Sequence, residues 1–222
     1  MGGVERPGSY VFQGRPVTLP CIVGDAFSLS ATYLVKAAPA RRLLPGTDLE
    51  VAEVLPGHAL LSIACIDYRV CDLGDYNEVS IALFARKKGE GPRIPYFGTV
   101  VDFFRSRLPT CILHLPVNQS LSRDAGCGIW GFPKTLQEIE FSEDHRRCRL
   151  TMDKRHLLTF SMPAGSAGKV TIPETAMETF SYIAGRPYRT SFVSGAEGVA
   201  IKLAGSTVEL GDNSHNIEAQ PQ

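Results

Sequence analysis

Gly126-Cys127-Gly128-Ile129-Trp130-Gly131-Phe132-Pro133-Lys134-Thr135-Leu136 is the stretch on which the reading of this chain turns. It places one lysine behind a proline, in apolar and glycine-rich company. Lys87-Lys88 and Lys154, by contrast, lie among polar residues. Pro133 fixes its own φ and biases Phe132 toward extended geometry, so Lys134 enters the next segment from a stiff lead. An amine packed against Trp130 and Phe132 is penalised in its charged form, which favours a neutral, nucleophilic amine. Such an amine forms Schiff bases with ketones and aldehydes. Composition leaves a second reading open, a surface lysine whose aliphatic stem covers the aromatics while its head stays in water.

Working outward, the flanking sequence reads as strand. Upstream, Cys111 to Val117 is a strand, and Asn118 or Ser120 caps a short helix through Arg123 that Gly126 ends. Glu78 to Arg86 has the clearest alternation. Glu78, Ser80, Ala82 and Phe84 fall on one face, and Val79, Ile81, Leu83 and Ala85 on the other. A carboxylate on a face of small and apolar residues suits a cavity wall, although a solvated glutamate at a strand entrance satisfies the same pattern. Phe27 to Lys36, Leu49 to Leu55 and Ala59 to Val70 are further strands. Pro39 opens a short helix that Pro45-Gly46 closes, and Gly98 to Leu108 has the spacing of an amphipathic helix.

Downstream come short strands divided by charged tips: 137–141, 148–152, 156–162, 169–172, 188–193, 199–203 and 207–210, with a helical turn expected over 173–180. This pattern predicts a mainly β (α+β) single domain over residues 1–222, an antiparallel sheet curved or closed into a barrel with a few short helices. Residues 1–20 read as an N-terminal arm and 213–222 as a frayed tail.

Composition narrows the function. Lys+Arg and Asp+Glu both number 23, so the formal net charge is zero. That gives no electrostatic footprint for nucleic acid or an anionic membrane, and weak colloidal repulsion suits a homo-oligomer. Hydrophobic residues make up 44% of the chain, yet no apolar run approaches the ~20 residues of a membrane span. The N-terminus carries no secretory h-region. The six cysteines show no C-x-x-C pair and no metal-binding spacing with histidine, so free thiols, no metal, no cofactor and a cytoplasmic location are expected. No G-x-G-x-x-G follows a strand, which argues against a dinucleotide enzyme.

Gly128 to Leu136 resembles the Schiff-base lysine segment of the acetoacetate decarboxylase family, in which an aromatic-Pro-Lys-x-Leu run carries the reactive amine. Gly74-Asp75-Tyr76-Asn77-Glu78-Val79 is similar to that family's Tyr-Asn-Glu segment, and Leu210-Gly211-Asp212 to its Leu-Gly-Asp ending. The similarity runs from about Tyr33 to Asp212. It implies a lyase in which Lys134 is the nucleophile toward a carbonyl or keto-acid substrate and Glu78 assists proton transfer. Tyr76, Trp130 and Phe132 would line the substrate pocket. The implied reactions are β-keto acid decarboxylation or a related aldol addition or dehydration, since all pass through iminium and enamine. The alternative is a non-catalytic barrel that binds an apolar metabolite.

Four positions depart from the decarboxylase pattern. Thr135 replaces the second lysine that lies beside the nucleophile in acetoacetate decarboxylase. Leu34, after Tyr33, stands where an arginine is expected to hold the substrate carboxylate, leaving Arg69 and Arg105 as substitutes. Cys127 and Gly128 replace an Arg-Glu pair.

Overall fold

Long alternating runs become long strands. The computed structural model describes residues 8–44, 48–163 and 167–211. In order, these form β1 (Ser9–Phe12), β2 (Arg15–Thr18), β3 (Val23–Lys36), α1 (Ala37–Arg42), β4 (Leu49–Val51), β5 (Glu53–Leu55), β6 (His58–Cys71) and β7 (Tyr76–Lys87). They continue as α2 (Phe97–Phe104), β8 (Thr110–Val117), α3 (Ser120–Trp130), β9 (Lys134–Leu136) and β10 (Glu138–Phe141). The last elements are β11 (Arg147–Met152), β12 (Arg155–Ser161), β13 (Ala167–Ile183), β14 (Arg186–Ile201) and β15 (Thr207–Leu210).

Nine strands share one sheet in the order β14-β13-β8-β7-β6-β3, with β4 on β7, β5 on β6 and β9 on β8. A four-stranded sheet runs β10-β11-β12-β15, and β1-β2 is a separate hairpin. The architecture is mainly β and curls into an open half-barrel, as the alternation and turn spacing predict. Closure is incomplete, and two ladders, β8 with β9 and β8 with β13, are parallel rather than antiparallel. The parallel β8–β9 pair follows from α3, which carries the chain over between two strands running the same way.

Of three core clusters among the described residues, two pack against opposite faces of the large sheet near the site. Leu29, Ile63, Cys65 and Val79 meet Ile139, Cys148, Leu150, Leu158 and Phe160 of the small sheet. On the other side, Tyr76 and Val117 pack with Ala125 of α3, Leu73 and Val17 of the β1–β2 hairpin. The register decides which side chains reach that second core. Antiparallel β6–β7 sets Tyr68 opposite Tyr76 and Ile66 opposite Glu78, and β7–β8 sets Glu78 opposite Val117. Because side chains alternate, Tyr76 and Glu78 face α3 while Val79 faces the small sheet.

Several elements differ from their sequence reading. The helix expected to stop at Gly126 runs on to Trp130, and its C-cap is Gly131 at φ 65°. Two glycines inside a helix cost roughly 1 kcal/mol each relative to alanine, so packing against neighbours overrides propensity here. Gln119, not Asn118 or Ser120, caps its start by accepting from the Ser122 N–H at 2.7 Å. Residues 173–180 form no helical turn, because β13 runs unbroken and pairs with β14 from Ala167↔Ile201 to Ile183↔Arg186. Pro173 is tolerated because it lies where that register shifts, between Ile172 and Thr175. The strand expected over Leu49 to Leu55 breaks at Ala52 into β4 and β5, which pair with different partners. Within the segment read as an N-terminal arm, residues 9–18 form a hairpin whose Val17 is buried. The frayed tail expected at 213–222 and the closing turn expected at Pro45-Gly46 lie outside the described residues.

Phe160 is fully buried where the two sheets meet. Phe160→Ala is expected to lower unfolding free energy by roughly 3–5 kcal/mol. Guanidinium denaturation monitored by circular dichroism measures it, and a loss under about 1 kcal/mol would show that this core can collapse around the gap.

Candidate active site

Lys134 opens β9, and its side chain turns back beneath α3. The lead-in is held by two backbone hydrogen bonds, from Phe132 N to Gly126 O (3.1 Å) and from Lys134 N to Phe132 O (2.8 Å). β9 then lies alongside β8, with Leu115 paired to Lys134. An alanine Cβ at position 126 would stand 2.5 Å from Lys134 Cδ and 2.7 Å from Cε. Gly126 is therefore the groove through which the lysine stem passes. At Gly131, a Cβ would meet the Tyr188 ring at 2.2 Å, so its glycine serves both the left-handed cap and the seat of β14.

The amine is almost fully enclosed, with Lys134 at 8% and Glu78 at 6% relative exposure. Lys134 Nζ lies 2.8 Å from Glu78 Oε2 and donates to Ser122 Oγ at 2.8 Å. The Tyr76 ring faces it, with Nζ 5.2 Å from the centroid, a cation–π distance. Glu78 accepts a second hydrogen bond from the Tyr68 hydroxyl, 3.3 Å from Oε1. Tyr68 and Tyr76 stack at 4.5 Å between centroids. Burial holds the Tyr76 phenol well above its ordinary pKa. The Glu78 charge adds to that effect, and a hydrogen bond with Ser122 partly offsets it. Burial, then Glu78, raises Tyr68 in the same direction. Both phenols are therefore neutral donors at physiological pH, consistent with Tyr68 donating to the carboxylate.

The structure brings Lys134, Glu78 and Tyr76 together. Trp130 and Phe132 stack on one another, 6.0 Å between centroids, and Trp130 packs against the core on that side of the sheet. The ring over the amine is that of Tyr76, so aromatic enclosure comes chiefly from β7 rather than from the Pro-Lys lead. Thr135, next to the lysine, is exposed. Leu34 is 53% exposed on β3, opposite Leu60. Arg69 follows Tyr68 and so points to the other face of β6. It is held there by Asp67 Oδ2 at 3.0 Å and by Asp25 at 3.9 Å. Arg105 is exposed at the end of α2. A separate cleft of about 190 Å³, lined by Arg86, Asp102, Arg107 and Glu178 among others, opens near the far end of β7 and contains none of these residues.

Two members of the constellation escaped the sequence reading. Ser122 is fully buried at the third position of α3, where the Gln119 cap fixes its backbone. Gln119 also donates to Leu73 O at 2.9 Å, tying the helix start to the β6–β7 turn. No local signal distinguishes Ser122 from its neighbours. Tyr68 was findable, because a tight β6–β7 hairpin turning at Leu73-Gly74 places it directly across from Tyr76.

Fold and sequence agree on a family. The family model described as acetoacetate decarboxylase matches residues 7–192, and the chain belongs to that family. Among solved structures, the chain resembles an acetoacetate decarboxylase from Legionella pneumophila subsp. pneumophila str. Philadelphia 1, with a TM-score of 0.54 at 16% identity over 82% of this chain and 70% of that one. Another, from structural studies of acetoacetate decarboxylase, gives 0.55 at 14% identity over 88% and 77%. The enduracididine biosynthesis enzyme MppR, complexed with pyruvate, gives 0.52 at 15% identity over 86% and 77%. At these identities the likeness is one of fold. Comparison with curated protein sequences gave no match. No helix among the described residues is long and apolar enough to cross a membrane.

Gly126→Ala separates local propensity from packing. Alanine gains about 1 kcal/mol of helix propensity. Overpacking against a buried, doubly hydrogen-bonded lysine costs roughly 1–3 kcal/mol. A net loss of stability is expected in urea denaturation, and a clear gain would show that the lysine moves aside freely.

Proposed function

We propose that this protein is a lyase whose Lys134 forms a Schiff base with a carbonyl substrate, assisted by Glu78. The observation that carries the reading is the enclosed amine with a carboxylate and a hydroxyl each 2.8 Å away. A buried lysine with those partners is poised to lose and regain protons without help from bulk water.

The chemistry follows from those contacts. Glu78 Oε2 takes a proton from the Lys134 ammonium, and the neutral amine attacks the substrate carbonyl carbon. The carbinolamine hydroxyl departs as water after receiving a proton from Glu78, leaving an iminium. With a β-keto acid, the bond to the carboxylate breaks, carbon dioxide leaves, and its electron pair enters the iminium to give an enamine. A proton drawn from solvent and relayed by Glu78 or a tyrosine hydroxyl then reaches the enamine carbon, and water hydrolyses the resulting iminium to release the product and the lysine. The same enamine could instead attack an aldehyde. MppR has been described with the condensation product of pyruvate and imidazole 4-carboxaldehyde, which makes aldol-type chemistry the natural second branch. Tyr76, Trp130 and Phe132 are proposed to form the apolar wall of the substrate site.

The test is borohydride trapping with a panel of 3-oxo acids, 2-oxo acids and aldehydes, followed by peptide mass mapping. Lys134 is expected to carry the reduced adduct. Lys134→Arg should abolish labelling, because a guanidinium stays protonated and forms no imine. No adduct, or labelling of Lys87 and Lys154 as readily as Lys134, would leave the non-catalytic binding reading in its place. With an active substrate in hand, Glu78→Gln is expected to reduce turnover ~10²–10⁴-fold. Full activity in that variant would remove Glu78 from the proton path.

A further inference from the structure

All six cysteines are free thiols, but they are not equivalent. Cys65 and Cys148 lie together inside the core between the sheets, and both are fully buried. Cys111 is 2% exposed, and burial pushes its thiol up to about 11. Cys127 is half-buried and donates to Lys134 O at 3.6 Å. Cys21 and Cys71 form a second thiol pair, partly exposed and on the Lys134 side of the large sheet.

Backbone geometry holds that pair together. Cys71 ends β6 opposite Val23, the first residue of β3, and Cys21 lies two residues before that strand. Their sequence neighbours are clamped. Ile22 N donates to Asp72 Oδ2 at 2.8 Å, and Asp72 N donates to Ile22 O at 3.1 Å. Each thiol is the largest influence on the other's ionisation, and both pack with Tyr68 and Tyr76 against the core beneath α3. We infer that Cys21 and Cys71 constitute a reversible oxidation site, in which a hydroperoxide converts the thiol pair into a disulfide.

Electrostatics assign the two roles. The Cys21 hydrogen bond lowers the Cys71 pKa to about 7, with help from the Leu73 N–H and the Lys134 charge, against burial and Asp72. Cys21 is raised, first by the same hydrogen bond and then by burial. The Leu73 N–H is a backbone donor that favours the thiolate of Cys71, which makes Cys71 the attacking sulfur and Cys21 the resolving thiol. The Cys71 sulfur attacks one peroxide oxygen and the O–O bond breaks. The departing oxygen takes a proton, leaving a sulfenic acid on Cys71. Cys21 sulfur then attacks Cys71 sulfur, its proton passes to the expelled hydroxide, and water leaves. Two thiols lose two electrons in total. Hydrogen peroxide, the simplest hydroperoxide, becomes two waters.

The crosslink would close next to Tyr76, whose ring faces the Lys134 amine, so the oxidation state of the pair bears on the packing around that ring. Its formation is read on protein without substrate, and so stands or falls separately from the chemistry proposed for Lys134.

The experiment treats the native protein with one equivalent of hydrogen peroxide, alkylates remaining thiols, and maps peptides without reduction. A Cys21–Cys71 crosslink that dithiothreitol reverses is expected as the main product, while Cys65, Cys111 and Cys148 alkylate only after unfolding. In Cys21→Ser, dimedone should trap a sulfenic acid at Cys71. In Cys71→Ser, oxidation of Cys21 should slow by at least about tenfold, since the thiolate is the nucleophile. Both thiols remaining free in the wild-type protein would overturn the inference without recourse to any variant. So would Cys127 oxidising as fast as Cys71, or an unchanged Cys21 rate in Cys71→Ser.

Discussion

The ion pair between Lys134 and Glu78 is the constraint to which the surrounding structure answers. Removing an ammonium and a carboxylate from water costs several kcal/mol per ion, and attraction repays it only where the remaining donors and acceptors are also satisfied. Here Ser122 takes a second hydrogen bond from the amine, Tyr68 gives one to the carboxylate, and the Tyr76 ring faces the cation. No buried side-chain nitrogen or oxygen among the described residues lacks a partner. A hydrophobic pair of similar volume would be at least as stable at this position. Folding does not require the charges, which supports the catalytic role proposed for them.

The partners come from four elements, and the fold exists in the form that aligns them. β7 supplies Glu78 and Tyr76 on one face, β6 supplies Tyr68 across the hairpin, α3 supplies Ser122, and β9 supplies the lysine. A shift of one residue in β6–β7 would turn Tyr68 and Glu78 to opposite faces. The glycines of α3 belong to the same arrangement. Gly126 admits the lysine stem, and Gly131 ends the helix where Tyr188 packs. The β1–β2 hairpin covers the far side, with the Phe12 ring seated where a Gly128 Cβ would stand.

The departures at Leu34, Thr135, Cys127 and Gly128 also have a spatial meaning. Leu34 and Thr135 are exposed, and Arg69 is engaged by aspartates on the opposite face from Tyr68. The neighbourhood of the amine therefore consists of phenols, a serine, a carboxylate and two thiols. In the proposed mechanism, Glu78 takes the part that a neighbouring cation plays when lysine nucleophilicity depends on charge repulsion. It does so as an acceptor for the ammonium proton.

The sequence by itself determined the strand-rich class, the alternation that puts Glu78 and Tyr76 on one face, and the singular setting of Lys134. Those are local properties, written in period-two patterning and in the stiffness of Phe132-Pro133. It misplaced the end of α3, read 173–180 as a helical turn, and was silent on Ser122, Tyr68 and the Cys21–Cys71 contact. Each of these depends on a partner distant in sequence. Gly126 reads locally as a helix stop until a lysine stem is seen to need its missing Cβ. Pro173 reads as a strand break until a 16-residue partner strand supplies the ladder around it. Cys21 and Cys71 have no motif spacing because they are brought together where their neighbours Ile22 and Asp72, 50 residues apart, hydrogen-bond at the end of the β3–β6 ladder. Periodicity fixes which way a side chain faces, whereas register and packing, set by the whole chain, decide what it meets there.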